Sequence, residues 1–172
     1  MEQQKPITHV MAGLIIGAVM IVFSLAIQFS GLDKISGVPL IGYCLIIAGL
    51  ILFINMYGKA MKNEVTFGNL FGYGFKATGI LIIIMTLFTV VFFMIFPDIK
   101  EKIFELTRQK MEERNMSDDD IEKGLSLWRR MFWVFTIGGI LLVYAIIGAI
   151  GSLIGAAITK KKKINPADQL GM

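Results

Sequence analysis

Residues 77–96 read ATGILIIIMTLFTVVFFMIF, with no Asp, Glu, Lys or Arg among them. Inside that stretch Ile80-Leu81-Ile82-Ile83-Ile84-Met85 fills more than a helical turn without one polar position. A helix in water returns a polar residue to its wet side every turn, so a soluble amphipathic helix is excluded here. At about 1.5 Å per residue, roughly 20 helical residues cover the ~30 Å hydrocarbon core of a bilayer. Lipid gives backbone amides no partner, so a chain crossing it coils and satisfies them internally.

The same reading extends outward in both directions. The uncharged run around this stretch covers residues 77–97, and three others cover 6–32, 35–58 and 131–159. Each is long enough for one crossing and too short for two. The sequence therefore predicts an all-α, polytopic membrane protein with four transmembrane helices, at about 10–29, 38–57, 77–96 and 132–158. Only 17% of the 172 residues are charged, against about 25% in soluble domains. The prolines at 6, 39, 97 and 166 fall at or outside span edges, where a helix tolerates them. The first span is too long for a signal-peptide core and has no A-x-A-type site near Gln28-Phe29-Ser30, so it reads as retained.

Between the spans lie short connections and one substantial polar region. Residues 30–37 read as a turn, and 58–65 as a small loop carrying Lys59 and Lys62. Thr66 is placed to cap the third helix, and the aromatic, glycine-rich segment 67–76 to lie at the membrane interface. Residues 98–130 read as two helices. The first, about 98–114, puts Ile99, Ile103 and Leu106 on one stripe. Ser117 caps the second, and Asp118, Asp119 and Asp120 suit the positive end of its dipole. Ile121, Leu125, Trp128 and Phe132 then recur at i, i+4, i+7 and i+11 and run into the fourth span without a proline. This predicts an extramembrane helical hairpin between spans 3 and 4, followed by one unbroken helix over 118–159. Residues 160–172 form a basic, flexible tail.

Orientation follows from the lysines and arginines beside the spans. One side carries Lys5, Lys59, Lys62, Lys76 and Lys160 to Lys163; the other carries Lys34 and the eight basic residues of 98–130. The second group is interleaved with acidic residues, whereas Lys160-Lys161-Lys162-Lys163 is contiguous and abuts a span. Both termini are therefore placed in the cytoplasm, in a cytoplasmic (inner) membrane. The same lysine cluster supplies most of the net charge of +4. It suits anionic lipid headgroups, which leaves no reason to read nucleic-acid binding.

The inventory of chemistry is short. No span holds an ionisable side chain of the kind pumps and ion-coupled transporters require. His9 is the only histidine and Cys44 the only cysteine. The acidic triple lacks the spacing of a calcium loop. The sequence thus predicts no catalytic, cofactor-binding or metal residues, and no enzyme. Ser24, Gln28, Asn55, Thr78, Thr86, Thr89, Thr136, Tyr144 and Ser152 read as interhelical hydrogen-bonding groups. Small residues at four-residue spacing, Gly13/Gly17 and Gly148/Ser152/Ala156 with Gly151/Gly155, permit close helix approach. That approach is within the chain, or in self-association or contact with another membrane protein.

The segment Asn63-Glu64-Val65-Thr66-Phe67-Gly68-Asn69-Leu70-Phe71-Gly72-Tyr73-Gly74-Phe75-Lys76, with the helix restart Met116-Ser117-Asp118-Asp119-Asp120-Ile121-Glu122-Lys123, resembles domain-of-unknown-function family 4199. Its members are small four-span membrane proteins, mostly of Bacteroidota. The resemblance covers nearly the whole chain. It implies the four-span architecture and a cytoplasmic-membrane location, and brings no activity or functional residue with it. Function then reads as a non-catalytic partner-binding or accessory subunit. The alternative is a small-solute or lipid-handling protein with a cavity lined by Gln28, Asn55 or the Thr78/Thr86/Thr89 set.

Overall fold

A computed structural model describes residues 6–32 and 37–162. Lys5, Lys34, Lys163, Pro166 and most of the 160–172 tail lie outside the described residues. The described residues form five helices: α1 (His9–Ser30), α2 (Val38–Ala60), α3 (Phe67–Ile95), α4 (Pro97–Glu113) and α5 (Asp118–Ile158). No strand occurs among the described residues. All but α4 are long and apolar enough to cross a membrane.

The helix starts are set by local chemistry. The Thr8 hydroxyl accepts from Met11 N–H at 3.2 Å, and Thr66 accepts from Asn69 N–H at 3.2 Å. Ser117 Oγ accepts from Asp120 N–H at 3.3 Å and donates to Asp120 Oδ2 at 2.6 Å. Each satisfies an amide that the first helical turn leaves without a partner. Pro39 and Pro97 occupy first-turn positions, where no amide is needed. Replacing Ser117 by Ala is expected to cost about 1 kcal/mol. Amides 118–121 should then exchange hydrogen faster, with those beyond Trp128 unchanged.

The outer surface decides the solvent. Val22, Leu87, Met94 and Leu142 are between 62% and 72% exposed, among many large apolar side chains that face outward. In water so much contiguous apolar surface would drive aggregation. Around helices of this length it fits acyl chains, so the protein is a multi-pass membrane protein.

The chain divides into two compact units, one within residues 1–85 and 143–172 and the other Thr86–Leu142. In the first, glycines set the helix contacts. A methyl group on Gly13 would stand 2.6 Å from Ala77 O, and Gly17 faces Ile84; the constant offset makes α1 and α3 parallel. Gly42 faces Phe23 and Gly49 faces Ile16, so α2 runs antiparallel to α1. Gly151 sits against Ile47 and Gly155 against Ile51, which makes α5 parallel to α2. Between α3 and α5 the fit is reciprocal and antiparallel. Gly74 of α3 receives Ser152, and Gly148 of α5 receives Thr78 so closely that an added Cβ would force the Thr78 side chain to shift. Both small-residue faces named from the sequence are thus used inside the chain. Ile46, Leu50, Ile54, Leu70 and Leu81 fill the centre and are almost wholly buried.

The second unit has an aromatic core. Phe104 of α4 meets the Trp128 ring at 5.1 Å and the Phe132 ring at 5.6 Å, both edge-on. Phe93 meets Phe132 at 5.2 Å. Met111 packs over Gly124, and Glu101 bonds Arg129 at 3.0 Å. The falling α4 numbers pair with rising α5 numbers, which is an antiparallel hairpin.

Two details of the hairpin differ from the sequence reading. Phe104 is the one fully buried side chain of α4; Ile99, Ile103 and Met111 are half-buried, and Leu106 is 47% exposed. Several apolar stripes fit one helical period, and the ring of Phe104 buries the most area, so it takes the centre. The α5 helix is also not unbroken: Met131 has φ −105° and ψ 16°, away from helical values. No proline marks that break, so periodicity alone cannot signal it.

Candidate functional site

The polar residues of the spans are mostly spent on packing. Thr78 donates to Gly74 O at 3.0 Å, one turn back in its own helix, while its side chain lies on Gly148. The Ser152 hydroxyl is fully buried against Gly74 and has no hydrogen-bond partner among the described residues. The Thr86 hydroxyl is likewise buried without one. Gln28, Asn55 and Thr89 are half-buried.

Concave space lies elsewhere. In the first unit a pocket of about 410 Å³ is lined by Pro6, Ile7, Thr8, His9, Tyr57, Gly68, Asn69, Gly72, Tyr73 and Lys76. Three elements build it. The Tyr73 hydroxyl donates to Ile7 O at 2.9 Å and pins the chain entering α1. The Tyr57 ring stacks on Tyr73 with centroids 4.4 Å apart, and His9 meets Tyr73 edge-on at 6.4 Å. Gly68, Gly72 and Lys76 follow at four-residue steps along α3, on one face. A Cβ on Gly72 would meet nothing within 4 Å, so the missing side chain is what leaves the pocket open.

The neighbouring face of α3 carries a ladder of rings. Phe67, Phe71 and Phe75 stack successively at 6.4 Å and 5.7 Å, and Lys161 lies over the Phe67 ring at 5.5 Å. Lys161 also donates to Ala156 O at 2.6 Å, closing the end of α5. Lys162 N–H donates to Asn63 O at 2.8 Å, and its ammonium lies 3.6 Å from Glu64. With these lysines, the Tyr57 and Tyr73 rings are of the kind that settle at headgroup level.

In the second unit a groove of about 440 Å³ runs along the hairpin, lined by Arg108, Asp118, Ile121, Glu122, Leu125, Ser126 and Arg129. Its rim is charged and mixed in sign. Lys100 lies over the Phe132 ring at 4.7 Å and Arg129 over the Phe104 ring at 4.7 Å, so both cations cover the aromatic core with their stems.

The sequence profile of a family described as Protein of unknown function (DUF4199) matches residues 12–161. The chain belongs to that family. No curated protein and no solved structure matches it.

The DUF4199 match takes in α2, α3, α4 and α5 whole and nearly all of α1. It supplies an architecture and assigns no chemistry. Within this DUF4199 chain, no three His, Cys, Asp or Glu side chains are arranged to hold a metal ion among the described residues. Cys44 is an exposed free thiol. Asp118, Asp119 and Asp120 open α5, as the sequence places them. The pocket residues Asn69, Gly72, Tyr73 and Lys76 went unnoticed as a site in the sequence. The one signal available was the Gly68/Gly72/Lys76 spacing inside an aromatic interfacial segment.

Proposed function

We propose that this DUF4199 protein sits in the cytoplasmic membrane with both termini inside and acts without catalysis, its hairpin holding a partner protein. The carrying observation is the hairpin's own core. Two neighbouring helices need only about 2–8 residues to connect them. Here the connection folds into α4 and the first part of α5, with Phe104, Ile121 and Phe132 each at most 3% exposed. A linker has no use for such a core, whereas a rigid recognition surface requires one. The Arg108–Glu112 and Lys123–Asp119 pairs, at 3.0 Å and 2.7 Å, are exposed. They present a mixed-charge surface of the kind that selects partners by complementarity.

A photo-crosslinking side chain placed at Glu112 or Glu122 in native membranes tests this reading. One discrete protein adduct is expected from those positions and none from Leu14, which faces outward on α1. Recovery of monomer and lipid adducts alone from both hairpin positions would contradict it.

A further inference from the structure

We propose that the pocket formed by the start of α1 and the first turns of α3 binds a phosphate-bearing anion, with a lipid headgroup as the source that its surroundings favour. No carboxylate lines the pocket, whereas Lys76, His9 and the Asn69 amide do. Among the described residues Lys76 makes no ion pair, and the Asn69 side chain makes no hydrogen bond. These are donors without acceptors, gathered around one opening. The first residues of α1 add the positive end of its dipole. An ammonium beside hydrocarbon without a counter-charge is costly, and Lys76 immediately precedes the uncharged run of span three.

About 410 Å³ is within the usual range for small-ligand sites, roughly 300–1,000 Å³, and ample for a phosphodiester with its glycerol. The Tyr57–Tyr73 stack and the Tyr73–Ile7 hydrogen bond make the walls rigid. The space exists because Gly68 and Gly72 carry no side chains. Val10, Met11 and Phe75 are 42–56% exposed beside the opening, which offers acyl chains a wall. Tyr57 and Tyr73, beside Lys76 in the lining, are of the residue types that settle at headgroup level, where lipid phosphates lie.

The test uses the full-length protein and two variants that alter the pocket in different ways. Gly72→Leu fills the opening without changing any charge, and nothing lies within 4 Å to obstruct its Cβ. Lys76→Gln removes the cation. The readout is the lipid retained by purified protein in native mass spectrometry, titrated with phosphatidylglycerol or phosphatidylcholine. Wild type is expected to retain one phosphatidylglycerol at least tenfold more readily than phosphatidylcholine, and each variant to lose that preference. Melting temperatures measured without lipid report that the variants fold. A third arm adds inorganic phosphate. Failure of millimolar phosphate to displace the lipid assigns the site to a headgroup. Full displacement, with direct phosphate binding lost in both variants, supports the pocket and assigns it to a soluble phosphate compound. A Gly72→Leu variant that folds and still retains phosphatidylglycerol like wild type overturns the proposal, because diffuse attraction to surface lysines would then explain the binding.

Discussion

A Gly148→Ala variant is expected to melt well below wild type although it adds only one methyl group. The added Cβ would overlap the Thr78 side chain at its Oγ1, Cγ2 and Cβ atoms. Overpacking of this kind costs about 1–3 kcal/mol. For a chain of this length that is a fall of roughly 2–12 °C in Tm, at about 2–4 °C per kcal/mol. The comparison is with Gly79→Ala and Gly138→Ala, where a Cβ meets nothing within 4 Å. Alanine is the better helix former by about 1 kcal/mol, so those two variants should hold or raise Tm. Combining Gly148→Ala with Thr78→Ala removes two of the three obstructing atoms, and part of the loss should return. Thermal unfolding in detergent, followed for these five proteins and for Thr78→Ala alone, reads the coupling between α3 and α5 directly. Equal melting of Gly148→Ala and Gly79→Ala would show that the reciprocal contact is absent.

The second large effect concerns the hairpin. Phe104 is 2% exposed, with Trp128 and Phe132 edge-on to it and Arg129 over its face. Truncating a buried phenylalanine to alanine costs about 3–5 kcal/mol, more than a two-helix unit can lose and remain ordered. Phe104→Ala should therefore release residues 97–128 to fast hydrogen exchange. Amides of α1 and α2, which belong to the other compact unit, should keep their protection. Leu106→Ala, at an exposed position on the same helix, should leave exchange unchanged. Uniform protection in the Phe104→Ala hairpin would place its core elsewhere.

The sequence made the span positions legible because charge is so costly in hydrocarbon that its absence marks them. The observed α1 and α2 bounds fall within three residues of the runs read from charge alone. Thr66 and Ser117 were legible as caps because a hydroxyl before an apolar run has one dominant use. Crossing register was not legible. That Gly74 meets Ser152 and Gly148 meets Thr78 depends on how two helices slide past each other, which no single helix encodes. Phe104 lost to Leu106 in the sequence because a partner helix chooses among stripes that share one period. The pocket was hidden for a different reason: it is made by what Gly68 and Gly72 lack. Glycine at four-residue spacing signals close packing as readily as open space, and only the neighbours decide between them.

If α3 and α5 each carry the chain across a bilayer, residue 110 of the hairpin is exposed on one aqueous side and residues 59 and 161 on the other. With Cys44 replaced by alanine, single cysteines at Lys59, Lys110 and Lys161 can be labelled with a membrane-impermeant maleimide in sealed, right-side-out vesicles. On the proposed orientation, with both termini in the cytoplasm, the cysteine at position 110 should react at once, and those at 59 and 161 only after the vesicles are opened. Reaction of all three from one side would contradict the account.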